Sequence, residues 1–120
     1  MVAGDFSYKE ESLGLVKVLN LSGKLMGGPE IKVMCDRVRE LSTQKTRFFV
    51  MNFRNVKLIN SNGIGSIIAC LTSLRNNGGD LRFANVQGAS WKYFHITKLD
   101  TVIKMFSSVN EAVNSYFATS

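Results

Sequence analysis

Apolar residues recur along the chain at two spacings, and each change of spacing marks a new element. Residues 6–10 predict a first strand, with Phe6 and Tyr8 on one side. Residues 13–21 predict a second, with Leu15, Leu19 and Leu21 on one face and Val16 and Val18 on the other. After the turn signal Gly27-Gly28-Pro29, Pro29 fits the first turn of a helix, where its missing N–H is no loss, and Glu30 complements the dipole. Ile31, Met34, Cys35, Val38 and Leu41 then keep the spacing of one helical face. Residues 46–53, with the run Phe48-Phe49-Val50-Met51, read as a central strand buried on both sides. A shorter apolar piece, 56–59, runs into Asn60-Ser61-Asn62-Gly63. Helical spacing returns with Ile64, Ile67, Ile68, Leu71 and Leu74, and Asn76-Asn77-Gly78-Gly79 stops it. Beyond lie a strand over 81–86 and a short helix over 90–98, with Trp91, Phe94 and the following Leu99 turned inward. A brief strand over 101–106 precedes a last helix from Ser108, where Glu111 closes a capping box. Its apolar stripe is Val109, Ala112, Val113, Tyr116 and Phe117.

Strand–helix alternation of this kind predicts an α/β fold, a mixed or parallel sheet with about four helices packed on it. Right-handed crossovers place successive helices on one face for as long as the strand order runs one way. A length of 120 residues suits a single domain spanning 1–120, with neither internal repeat nor linker.

The longest apolar runs are far too short to cross a bilayer, so no membrane association is expected. Met1-Val2-Ala3-Gly4-Asp5 has no basic segment leading into an apolar one, and a cytoplasmic protein is expected. The net charge of +6 invites a nucleic-acid reading, but the basic residues are scattered and build neither an arm nor a helical stripe. Direct nucleic-acid contact is therefore not expected, and the charge suits solubility and an acidic partner surface. Cys35 and Cys70 lie far apart, lack a CxxC or His companion, and read as small buried apolar residues.

One stretch is organised unusually. Two apolar pieces and a polar turn deliver Ser61 to the start of a helix that opens with Gly63 and Gly65. A glycine inside a helix costs about 1 kcal/mol against alanine, so these two need a reason. Either another surface approaches closely there, or the strand-to-helix turn is tight.

Asn60-Ser61-Asn62-Gly63-Ile64-Gly65 resembles the Asp-Ser-(Ser/Thr)-Gly-Leu-Gly loop of STAS-domain anti-sigma factor antagonists. Leu21-Ser22-Gly23-Lys24-Leu25, residues 74–81, residues 94–100 and the helix start at 108–112 add matches in the family's order. The resemblance implies a sheet with packed helices and an exposed contact loop at the second helix. It also implies a bacterial partner-switching role: the unphosphorylated protein binds an anti-sigma factor that is also a serine kinase, and so frees a sigma factor. The matching phosphorylation site is Ser61, and Asn60, Asn62, Gly63, Ile64 and Gly65 would form the contact loop around it. Met26, Gly27 and Gly28 could add to the same surface, or be a plain loop before Pro29. Two positions depart from the pattern. Asn60 stands for Asp and Asn62 for the second hydroxyl residue, which keeps helix capping but removes a negative charge beside Ser61. The alternatives are a scaffold that binds constitutively and is never phosphorylated, with Ser61 a mere cap, or a nucleotide-binding regulatory module.

An enzyme is not expected. The one histidine, His95, has no adjacent acid in sequence to orient it toward Ser61 as a triad would require. Gly63-Ile64-Gly65 lacks the third glycine of a dinucleotide fingerprint, since Ile68 occupies its place. The acids form no metal-binding pattern, and no cofactor is implied. A domain acting beside a membrane transporter, as STAS domains do in anion transporters, is a further alternative.

Overall fold

The computed structural model describes residues 6–117; residues 1–5, read above for targeting signals, lie outside them. Strand β1 (Phe6–Leu13) turns back antiparallel on β2 (Val16–Leu25). Helix α1 (Pro29–Thr43) leads to β3 (Phe48–Ile59), and α2 (Ser61–Asn76) leads to β4 (Asp80–Ala84). Helix α3 (Gly88–Ile96) and a 3-10 turn (Leu99–Thr101) lead to β5 (Met105–Phe106), and α4 (Val109–Ser115) follows. The strands lie in the order β1-β2-β3-β4-β5, with every pair after the first parallel.

Because the order runs one way, α1, α2 and α3 share a face. Leu19, Leu21, Phe49, Met51, Phe53, Leu81 and Phe83 of the sheet are buried there with Ile31, Met34 and Val38, Ile67, Leu71 and Leu74, and Phe94. The buried set of α1 is the predicted stripe, Ile31, Met34, Cys35, Val38 and Leu41. On the reverse face Val16, Val18, Val50 and Ala84 pack with Ala112 of α4. The central strands are thus buried on both sides, as their unbroken apolar runs require.

Several expectations need correction. Leu15 sits with Gly14 at the tip of the β1–β2 hairpin and is 72% exposed, not inward on a strand. The pieces at 46–53 and 56–59 are one strand. Its pairing with β2 slips twice, between Asn20 and Ser22 and between Gly23 and Lys24, and each slip inserts an extra β3 residue. The bulges turn Arg54 with Asn55, and Lys57 with Leu58, outward as pairs, which breaks the two-residue period. The strand expected over 81–86 stops at Ala84, where Asn85 takes a left-handed turn (φ 59°), and the last strand shrinks to two residues. Trp91 is 46% exposed with its ring stacked on His95 at 4.8 Å, while Phe94 points inward. Ser108 caps α4 by accepting from the Glu111 N–H at 3.1 Å, but the Glu111 carboxylate takes the Ser107 hydroxyl, so the box is half closed. Cys35 and Cys70 are buried in the core as expected, but they are also paired as a disulfide between α1 and α2, which the reading as separate small residues does not include. Each lies on the inward stripe of its helix, and helix packing brings their Cα atoms to 5.7 Å. No spacing within either helix encodes that meeting.

Candidate functional site

Leu25 ends β2, and its carbonyl oxygen anchors the start of α2. It accepts the Asn60 N–H at 3.1 Å. Gly63 presses against the same carbonyl: a Cβ there would overlap the oxygen and lie 2.5 Å from the carbon. Asn60 itself is extended (φ −136°, ψ 178°), and its side chain accepts from the Gly63 N–H at 2.9 Å. This is an N-cap, which satisfies one of the amides that a helix start leaves free.

The Met26–Gly28 loop joins the same surface. Gly27 has φ 90°, and a Cβ on it would meet the Asn62 Cβ at 3.0 Å and the Gly63 nitrogen at 3.9 Å. Its left-handed backbone and this close approach both exclude a side chain. Two loops that are distant in sequence therefore meet at the head of α2.

Within this head the residues divide by direction. Ser61, the first residue of α2, is exposed, as are Asn62 and Gly65. Met26 and Gly28 are also exposed, and Asn60 and Gly27 are half-buried supports. Gly63 and Ile64 face the core, so they hold the loop and do not present a contact side chain. Around a Cβ at Gly65 there is nothing within 4 Å, so that position is bare on its outer side. Leu25 was not foreseen as part of the site. Its apolar side chain signals only core, and the carbonyl that does the work has no sequence signature.

Elsewhere, His95 does have an acid partner. Asp100 places Oδ2 3.0 Å from its Nδ1, five residues on, because Lys98 takes a left-handed turn (φ 62°) after α3. Neither Ser61 nor its neighbours belongs to this pair, whose ring packs on Trp91. Among the described residues no group of three His, Cys, Asp or Glu could hold a metal ion. No described helix is long and apolar enough to cross a membrane.

Residues 9–112 match the STAS domain family model. The chain belongs to the STAS family. Solved structures agree on the fold. The anti-sigma factor antagonist SpoIIAA in its unphosphorylated form is 17% identical, with 95% of this chain and 99% of that one aligned at a TM-score of 0.80. The phosphorylated form of that Bacillus protein aligns at 0.73, with 18% identity over 92% of this chain and 99% of its own. An anti-sigma factor antagonist from Mycobacterium paratuberculosis is 17% identical, with 98% and 100% of the two chains covered at 0.79. The murine anion transporter Slc26a9 also aligns, at 13% identity and a TM-score of 0.73, over 91% of this chain but 19% of its own. At these identities the likeness is one of fold. No curated protein sequence matches the chain.

Proposed function

We propose that this STAS domain is a cytoplasmic anti-sigma factor antagonist, a binding module that carries out no reaction of its own. It binds an anti-sigma factor with serine kinase activity through the head of α2, and phosphorylation of Ser61 ends that binding. The observation that carries the reading is the exposure of Ser61 at the first position of a capped helix, on a base fixed by Leu25, Asn60 and Gly63. A kinase can reach the hydroxyl there without unfolding the domain.

A phosphate adds roughly −1.5 to −2 charges at neutral pH. At the start of α2 the free N–H groups and the helix dipole favour an anion. The fold therefore accommodates the modified serine. What changes is the surface offered to a partner, by bulk and by repulsion.

Ser61→Asp and Ser61→Ala, measured beside wild type, test the switch. We expect Ser61→Asp to keep the wild-type circular dichroism spectrum and bind the kinase-type partner at least about tenfold more weakly, a loss near 1.4 kcal/mol. Ser61→Ala should bind normally and take no phosphate from ATP. A folded Ser61→Asp protein with unchanged affinity would sink the switch. Asn60 favours the second reading that such a result would leave, a constitutive scaffold. Asn caps the helix as Asp would, but leaves out the charge beside the hydroxyl.

A further inference from the structure

Cys35 and Cys70 are the only cysteines of the chain, and they meet across the α1–α2 contact. Cys70 is wholly buried, whereas Cys35 keeps 4% of its surface at the floor of a groove between the two helices. Lys32, Arg39, Ser66 and Ala69 line that groove. Lys32 and Arg39 both pair with Asp36, at 3.0 and 3.1 Å, so the rim carries two cations against one carboxylate. A cationic rim draws anionic thiols toward the groove in which the Cys35 sulfur lies. The reduced state is provided for as well: the Cys35 sulfur lies 3.6 Å from the Ser66 carbonyl oxygen, which can accept a thiol hydrogen.

We infer that Cys35 and Cys70 are a reversible redox pair, with Cys35 the attacked sulfur and Cys70 the resolving one. In the oxidising direction the Cys35 thiolate attacks the terminal oxygen of a hydroperoxide, the O–O bond breaks to give the sulfenic acid, and the departing alkoxide, or hydroxide from hydrogen peroxide, takes a proton from water. The Cys70 thiolate then attacks that sulfur, the S–O bond breaks, and the departing hydroxide leaves as water after taking a proton. The peroxide gains the two electrons that the thiols lose. In the reducing direction a small thiol such as glutathione attacks Cys35 as its thiolate, and Cys70 leaves as a thiolate and takes a proton. A second thiol then attacks the glutathione sulfur and releases Cys35. The closed bond encircles a loop with a sequence separation of 35, which contains all of β3 and the Ser61 head. Cross-linking such a loop restricts the unfolded chain and ties α1 to α2.

The full chain can be tested directly. After incubation in oxidised or reduced glutathione it is unfolded, alkylated and weighed, and its thermal midpoint is measured under both conditions. We expect no alkylation in the oxidised sample, two alkylations in the reduced one, and a midpoint lower by about 10 °C on reduction. With hydrogen peroxide and a sulfenic-acid probe, C70A should be labelled at Cys35 and C35A should stay unlabelled at Cys70. Two free thiols after oxidant treatment, or equal midpoints in the two states, would overturn the pair. Labelling of Cys70 in C35A would overturn the assigned order of attack. All these readouts use the isolated protein, so they stand whether or not Ser61 is phosphorylated.

Discussion

A methyl group added at Gly63 would run into the backbone of Leu25, whereas one added at Gly65 would meet nothing within 4 Å. The two glycines share one helical turn and answer to different demands. Gly63→Ala must push the head of α2 off the end of β2, and backbone cannot yield as a side chain does. We expect a loss of about 3 kcal/mol in urea unfolding. Gly65→Ala only improves helix propensity at an exposed position, so we expect a gain of about 0.8 kcal/mol. If Gly65 is bare because a partner's surface lies against it, the same variant binds that partner more weakly while melting higher. Higher stability with undiminished affinity would show that Gly65 has no such role. The sequence flagged both glycines as needing a reason, but it could not tell them apart, since the difference lies in a carbonyl from another element.

Among the elements, β1 and α1 are joined by a clamp that local pattern does not show. The Arg37 guanidinium donates from Nε and Nη2 to the two oxygens of Glu10, at 2.6 and 3.2 Å, and Lys17 stands 3.8 Å away. The hydrogen bond from Arg37 holds the Glu10 carboxyl below its ordinary value of 4.5, although partial burial pulls the other way. A carboxyl with a depressed folded-state pKa stabilises the fold above its unfolded value, and that contribution fades as pH falls through the folded one. The thermal midpoint of wild type should therefore drop more steeply between about pH 5 and about pH 3 than that of Glu10→Gln. Parallel pH curves for the two proteins would remove the clamp from the account. The long strand β3 is a related case. Its end at Ile59 is legible and its start lies two residues beyond the expected 46, but polar pairs such as Arg54-Asn55 mimic a break in the element, and only the pairing with β2 identifies them as bulges. Helix α1, whose stripe is regular, was legible to the residue.

For the whole molecule the sheet separates two packed faces. Three helices and the Ser61 head belong to one face, while α4 covers part of the other. The alternation of strands and helices made the layered architecture readable from sequence, but not the contacts that fasten α4. The spacing in sequence places Tyr116 only on an apolar stripe. In the folded chain its hydroxyl donates to the Phe49 carbonyl at 2.7 Å, its ring lies 4.7 Å from that of Phe48, and the Arg82 guanidinium sits 4.0 Å over it. Burial pushes its phenol well above the ordinary tyrosine range, so the hydroxyl remains a donor throughout the working pH range. Tyr116→Phe removes one hydrogen bond and should lower stability by about 1 kcal/mol, and Tyr116→Ala, which also empties the ring's place, by about 3 kcal/mol. Because α4 packs on the face away from α2, Tyr116→Phe should leave partner affinity and its response to Ser61→Asp untouched. Denaturant melts and binding titrations on the same preparations check both halves. A weakened partner complex in a fully folded Tyr116→Phe protein would mean that the reverse face takes part in recognition.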